Sequence, residues 1–414
     1  MTGLPADSAD PILQADAWRR IVPAEETVAR LKRFLPMFGI TRVATLTGLD
    51  TVGIPVVMVN RPNSRSLAVS QGKGVTLAAA KASGLMESVE AWHAERIVQP
   101  LKIGSFEDLC YSHAMVDPDR LPRLSSSRYT PHTQMLWIEG RSLTRDRSVW
   151  VPYEMVHTNY TLPLPSGHGC FQANTNGLAS GNHPLEAVIH GLCELIERDA
   201  LTLWHQKPEE AQDEDRLDLE TVADPVCRDL IGRFARAGVE VGVWEITSDI
   251  GVPTFLCRIV QAEGEHATGI RPAIGCGTHL VREIALARAL TEAAQSRLTF
   301  ISGARDDMAR VDYERMLDPA LQRTWLARIR HGAPMRDFNA VPVWGGRSLR
   351  NDLDALLARL DRAGIEEPVV VDLTRRELGI PVVRVLAPGL EGVDSSPDYV
   401  LGARGRAAAG YRPH

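Results

Sequence analysis

A step of glycine, a β-branched residue and proline, followed by an apolar run, occurs three times in the chain. It stands at Gly53-Ile54-Pro55 before residues 56–59, at Gly251-Val252-Pro253 before 254–260, and at Gly379-Ile380-Pro381 before 382–386. Each step is preceded by another strand-like run, at 42–46, 239–246 and 369–373, across a short polar link. An internal repeat constrains the fold strongly, because each copy must bury its face against its neighbours. Two apolar runs joined by a short link containing Gly, Asp or Glu predict a β-hairpin, and proline at a strand start withholds only an amide that the ladder can spare. Three related hairpins are expected.

The segments after the first two hairpins repeat as well. Residues 66–70 lead into Gly72-Lys73-Gly74 and a helical run from 77 to about 97, and residues 269–274 lead into Gly275-Cys276-Gly277 and a helical run over 281–300. A third long helix, from Pro184 to about Trp204, follows the Gly-rich stretch from Asn176 to Asn182, and Pro184 suits a first helical turn. The pattern is mixed α/β (α+β), with antiparallel hairpins and repeated hairpin–strand–helix units, rather than the βαβ alternation of a doubly wound sheet. Residues 25–34 have helical spacing, 304–365 read as a charged helical insertion, and the Gly-, Ala- and Arg-rich tail from Gly402 is expected to be mobile. The organisation expected is an N-terminal helix and first hairpin over 1–65, a main domain over 66–400 and a tail over 401–414.

Composition removes several classes of function. Asp and Glu total 52 against 46 Lys and Arg, so a broad basic surface for nucleic acid is not expected. No apolar run approaches the roughly 18 residues of a membrane span, and the acidic N-terminus has no apolar signal region, so a cytoplasmic location is expected. The six cysteines form no C-x-x-C pair, and there is no H-E-x-x-H, which removes the common zinc frameworks and leaves buried reduced thiols as the expectation.

The long helices carry polar stripes. Ser83, Glu87 and Glu90 share one face of the first, Glu186, His190, Glu194 and Glu197 one face of the middle helix with Arg198 beside it, and Arg288, Glu292 and Gln295 one face of the last. The first two share a frame, Gly84-Leu85-x-Glu87-x-x-Glu90 and Gly191-Leu192-x-Glu194-x-x-Glu197. A solvated face is the ordinary explanation of such stripes. Against it, the rest of each helix is almost wholly apolar or small, and stacked glutamates at i,i+3 repel one another. Several glutamates in one cleft call for a cation, and an all-oxygen donor set points to Mg²⁺ with a nucleotide. Gly72-Lys73-Gly74 before a helix reads either as a plain turn or as a phosphate turn, but it is not a P-loop. The stretch from Asn176 to Asn182 reads the same two ways.

These residues resemble three motifs of the YcaO family. Ser70-Gln71-Gly72-Lys73-Gly74 with Ser83, Glu87 and Glu90 resembles the first. Asn176-Gly177, Gly181-Asn182, Glu186 and Glu194-x-x-Glu197-Arg198 resemble the second, and Gly275-x-Gly277 with Arg288, Glu292, Gln295 and Arg297 the third. The resemblance implies a YcaO-type fold with a central ATP cleft in which Glu87, Glu90, Glu194, Glu197 and Glu292 hold Mg²⁺. It places Arg198 and Arg288 on the phosphates as catalytic residues, Lys73, Ser83, Asn182, Glu186 and Gln295 around the nucleotide, and Arg20 and Thr27 at its closing edge. Where the family often has Ser this chain has Ala179, with Ser180 next to it. The activity implied is ATP-dependent activation of a peptide backbone amide, by attack of a nucleophile on the carbonyl and loss of the oxygen as phosphate. An external sulfur donor gives a thioamide, and a Cys, Ser or Thr side chain gives an azoline. With no docking segment ahead of residue 66 and no Pro-rich ending, the chain resembles stand-alone members that act with TfuA-type partners, and thioamide formation on a ribosomally made peptide is expected over azoline formation. A homodimer is expected. A non-catalytic accessory role is disfavoured, since none of the metal carboxylates is missing.

Overall fold

The computed structural model describes residues 19–410, apart from 263–271, 306–309, 311–312, 315–317, 393–395 and 397. After α1 (Ala24–Lys32) come β1 (Arg42–Thr45), β2 (Val56–Asn60), β3 (Val69–Lys73) and α2 (Leu77–Ala94). The middle of the chain holds β4 (Leu101–Gly104), β5 (Met135–Ser142), β6 (Ser148–Pro152), β7 (Leu178–Ser180) and α3 (Pro184–His205). There follow α4 (Pro225–Arg236), β8 (Val239–Glu245), β9 (Thr254–Gln261), β10 (Ala273–Thr278) and α5 (Arg282–Ser302). Finally come α6 (Pro319–His331), α7 (Leu349–Arg362), β11 (Val369–Asp372), β12 (Val382–Leu386) and α8 (Ala403–Ala408).

All three hairpins form, as β1–β2, β8–β9 and β11–β12. The first two continue into β3 and β10 as antiparallel three-stranded sheets, each followed by its helix. The third completes itself differently: β12 pairs with β7, which lies upstream and leads into α3. The middle helix and the last hairpin therefore belong to one hairpin–strand–helix unit whose parts are permuted in the chain. The registers make the three units equivalent. Lys73 faces Val56, Thr278 faces Thr254 and Ser180 faces Val382, in each case the residue just after the proline of the repeat. β11 also joins β5, which carries β4 and β6, so this unit sits in a six-stranded sheet.

The glycines of the repeats serve packing rather than a phosphate turn. A Cβ on Gly72 would lie 2.0 Å from the Ala80 oxygen and 2.1 Å from the Gly84 nitrogen, and one on Gly275 would lie 2.2 Å from the Ala293 nitrogen. Gly72-Lys73 and Gly275-Cys276-Gly277 lie in strands β3 and β10, pressed on α2 and α5. The shared Gly-Leu-x-Glu-x-x-Glu frame has the same cause. Gly84 and Gly191 are where each helix meets a sheet, and the glutamates project one and two turns further on.

Three expectations about organisation are corrected. The division at 65/66 would cut the first sheet between β2 and β3, and Leu31, Val57 and Leu85 share one core with Trp137 and Val371. Within the expected insertion, α7 packs on α3, with Leu353 and Leu356 in the core that holds Leu192 and Val383. The expected mobile tail is a helix, α8, as far as residue 408. Arg404 pairs with fully buried Asp199 at 2.9 Å, and the Gly402 and Gly405 amides donate to Glu391. A buried carboxylate needs such a partner, which fixes the segment. Residues 411–414 and 1–18 lie outside the described residues. Among the described residues no helix is long and apolar enough to cross a membrane, and all six cysteines are free thiols, five of them buried.

Candidate functional site

The three units close on one another in a ring. α2 packs on β7, α3 on β10 and α5 on β3, so each helix meets the last strand of another unit. The polar stripes face inward at these meetings. The Ser180 hydroxyl, at the end of β7, donates to Glu90 on α2 at 2.6 Å. The Thr278 amide, at the end of β10, donates to Glu197 on α3 at 2.9 Å. On α5 the same frame position is Gln295, whose amide donates to the Gln71 carbonyl on β3 at 2.7 Å. Glutamine there is explained by its partner, since a carboxylate could not donate to a carbonyl. Lys73, at the end of β3, pairs instead with Glu292, one turn earlier.

Glu87, Glu90, Glu194, Glu197 and Glu292 thus form one electrostatic cluster with Lys73 and Arg198. Burial pushes the Glu90 carboxyl up to about 8, helped by Glu87 and Glu194, although Ser180 opposes it. Glu87 opens onto the cleft but is crowded by protein around it, and desolvation raises it to about 7 against the pull of Lys73. Glu197 is raised by burial and by Glu292 while Arg198, 3.3 Å away, opposes. Glu292 goes the other way, down to about 2, because Lys73 and Arg198 outweigh its desolvation. Arg198 keeps its charge despite desolvation through the fields of Glu197, Glu292 and Glu194. Glu194 accepts from the Gly177 amide at 3.0 Å. Arg288 approaches the His190 ring at 3.4 Å, and His190 is held neutral by burial first and then by Arg288.

A second group lies at the N-terminus of α3. Thr27 on α1 and Asn182 exchange side-chain hydrogen bonds of 3.0 and 3.2 Å. Glu186, buried, accepts from the Ile21 and Asn182 amides at 2.6 and 2.9 Å, with Arg20 3.6 Å away. This clasp ties the N-terminal segment over the stripe of α3, so Glu186 is already satisfied by the chain, and half-exposed Arg20 lies at its edge. Ser83 lies one turn before Glu87 on α2 and is half-buried.

Two kinds of group indicate what the cleft accepts. Carboxylates that resist ionisation invite a cation. The Nε atoms of Arg198 and Arg288 are buried with no hydrogen-bond partner among the described residues, which invites an anion. Among the described residues no three carboxylates, imidazoles or thiols form a metal cage by themselves. A Mg²⁺ ion in the cleft would therefore take one or two of these carboxylates and complete its shell with water and phosphate oxygens. The residues present therefore fit a nucleotide with its metal. The sequence reading gave no role to Gln71, whose carbonyl anchors Gln295, or to His279. His279 is held neutral by burial and by Arg288, Arg19 and Arg20. Its one sequence signal is its position directly after Thr278, at the strand end that also supplies Lys73 and Ser180 in the other units.

A family model described as the ATP- and Mg²⁺-binding YcaO cyclodehydratase matches residues 71–391. The chain belongs to the YcaO family. Its relatives include a protein encoded in the tfuA 3′ region of Rhizobium leguminosarum bv. trifolii, 38% identical over 401 residues, which span 93% of this chain and 91% of that one. A Methanothermobacter thermautotrophicus protein is 37% identical over 393 residues, 92% and 97% of the two chains. Among solved structures, YcaO from Methanopyrus kandleri, bound with AMPPCP and Mg²⁺, superposes with a TM-score of 0.71 at 25% identity over 92% of this chain and 95% of its own. A heterocyclase in complex with substrate and cofactor gives 0.75 at 23% identity, over 93% of this chain and 54% of that chain, and shares its fold. This YcaO chain is thus of the ATP-binding, cyclodehydratase type, and its cofactors are ATP and Mg²⁺.

Proposed function

We propose that this YcaO protein activates a backbone amide of a ribosomally made peptide at the expense of ATP, and that its product is a thioamide formed with a TfuA-type partner. The observation that carries the reading is the carboxylate cluster closed by the three units, with the two unpartnered arginine Nε atoms beside it. The relative encoded beside tfuA supports the choice of partner. In this reading Glu87, Glu90, Glu194, Glu197 and Glu292 hold Mg²⁺, no more than one or two of them to each ion. Lys73, Arg198 and Arg288 face the phosphates, and Arg20, Thr27, Ser83, Asn182, Glu186 and Gln295 border the nucleotide.

When bound, ATP with Mg²⁺ supplies the phosphoryl group that carries off the amide oxygen, so amide, hydrosulfide and ATP give thioamide, ADP and phosphate. Such chemistry asks the protein mainly for positioning and charge neutralisation. Arg198 suits that task because Glu197, 3.3 Å away, with Glu292 and Glu194 keeps it charged, and its Nε has no hydrogen-bond partner among the described residues. Azoline formation is the second reading, favoured by the likeness in fold to the heterocyclase.

The test is to express the chain with a candidate peptide and a TfuA-type protein and weigh the peptide. Sulfur for oxygen adds about 16 Da and cyclodehydration removes about 18 Da, each at a cost of one ATP. The reading predicts the gain, with ADP release that depends on peptide. A loss of water would replace thioamide by azoline. ADP release indifferent to any peptide would overturn amide activation altogether.

A further inference from the structure

Two histidines stand in the cleft without a task. His190 is on the polar face of α3, one turn after Glu186 and one turn before Glu194, and His279 directly follows β10. The hydrogen bonds of each ring fix its tautomer. Arginine can only donate, so the approach of Arg288 to the His190 Nδ1 at 3.4 Å makes that atom an acceptor. The Val281 amide donates to the His279 Nδ1 at 3.0 Å. A neutral ring that accepts at Nδ1 carries its proton on Nε2. Burial first, and then Arg288, keep both rings neutral. Among the described residues nothing accepts from either Nε2, and neither atom is sealed in protein as the Nε2 of His93 is. Both residues are half-buried, so each presents an N–H donor to the open side of the cleft.

The surroundings select what these donors would meet. Arg288 lies against His190, its Nε is unpartnered, and it has no ion pair among the described residues. Half-exposed Arg20 acts on both rings. Arg19 acts on His279 but is already bound to Asp352, at 2.7 Å through its Nε. This end of the cleft is therefore cationic, whereas Glu194 and Glu197 lie one and two turns further along α3. A third cation beside Arg288 and Arg20 would be repelled, and a neutral N–H adds a hydrogen bond to an anion without that cost. Neither ring suits a base for the reacting peptide, because the Nδ1 lone pair is taken and Nε2 carries the proton.

We propose that His190 and His279 are nucleotide-binding residues that donate from Nε2 to phosphoryl oxygens of ATP beside Arg288. The proposal rests on the reading that places the nucleotide in this cleft. A phosphoryl oxygen is the acceptor that suits two neutral donors next to an arginine, because a charged acceptor makes each such bond stronger. The pair would hold the phosphate chain for transfer while the glutamates take the metal.

The test combines NMR of the full chain with isotope-labelled histidines and calorimetric titration of AMPPCP in Mg²⁺. In the free protein both rings should show the Nε2–H tautomer, with signals assigned by their loss in His190→Gln and His279→Gln. Both Nε2 signals should move on addition of AMPPCP, or of tripolyphosphate, with Mg²⁺. His190→Ala and His279→Ala should each weaken AMPPCP binding about tenfold or more. The glutamine variants should recover part of that loss, since a glutamine amide carries an N–H donor close to the place of Nε2. Parental affinity in either alanine variant, glutamine variants as weak as the alanine ones, or signals that answer to adenosine but not to tripolyphosphate overturn the proposal. Should an alanine variant not fold, the parent decides: Nε2 signals that stay in place at saturating AMPPCP and Mg²⁺ overturn it. Glu90→Gln tells two failures apart. Histidine variants that bind like the parent while Glu90→Gln loses binding remove the histidines and leave the nucleotide in the cleft. Binding untouched by all of these changes overturns the placing of the nucleotide as well.

Discussion

The Glu90→Gln variant should lose ATP-dependent turnover by at least about 100-fold, while melting at or slightly above the parent's temperature at pH 7 without metal. Ser180 donates to Glu90 at 2.6 Å, and a glutamine oxygen accepts that bond equally well. Burial, then Glu87 and Glu194, hold the Glu90 carboxyl up to about 8, so in the metal-free protein at neutral pH it is mostly the neutral acid. Glutamine replaces one neutral group by another, and stability changes little. Binding a cation needs the anion, which glutamine cannot supply. Glu197→Gln is a useful contrast, because Glu197 also pairs with Arg198 and accepts from the Thr278 amide. There the fold should weaken along with activity, since Arg198 is left inside without that partner. A lower melting temperature with turnover retained in Glu90→Gln would show Glu90 to be a structural residue.

The metal-free protein should lose stability as pH rises from about 7 to 8, by up to about 1.4 kcal/mol per pH unit for each carboxyl still protonated. A carboxyl whose folded-state pKa is raised stabilises fully below its unfolded value of 4.5, and that contribution fades as pH climbs through the folded value, about 7 for Glu87 and about 8 for Glu90. Glu90 should carry most of the effect, because Glu87 opens onto the cleft. Histidines act in the opposite sense at lower pH. His93 and His157 are lowered to about 4, and His190 and His279 are lowered well below 6.5, so their penalty fades as pH rises through 6.5 and is small above about 7. Above that point the carboxyls dominate, until above about pH 8 the buried thiols, raised by desolvation, add a decline of the same sign. Urea unfolding in a chelator, repeated at saturating Mg²⁺ and AMPPCP, measures this: the decline should be present in the first series and flattened in the second. A flat or rising profile in the chelator would show that these carboxyls are not held protonated.

The hairpins, the long helices and their stripes were legible because each depends on local patterning, such as the Gly-x-Pro step before an apolar run or carboxylates at helical spacing. What escaped depends on contacts between distant residues. Leu178-Ala179-Ser180 lies within a Gly- and Asn-rich stretch and looks like a loop until β12 comes beside it. The permuted third unit is invisible for that reason, and with it the ring that delivers Ser180 to Glu90. Glycine before a helix has the same appearance whether it cradles phosphate or lets a strand touch a helix, and Gly72 and Gly275 do the second. The anchoring of α8 rests on Arg404 and Asp199, a buried pair that no local pattern announces. The residue types of the candidate site could be read from the sequence. Their pairings could not, because each runs from one unit's strand end to another unit's helix.

The central claim is that the cleft between α2, α3 and α5 holds a nucleotide through a metal bound to clustered glutamates. Calorimetric titration of the parent chain with AMPPCP, with and without Mg²⁺ and in two buffers of different ionisation enthalpy at pH 7, tests it most directly. Binding should collapse without the metal, and with the metal it should release protons as Glu90 and its neighbours ionise. Equal affinity with and without Mg²⁺, and no proton release, would contradict the claim.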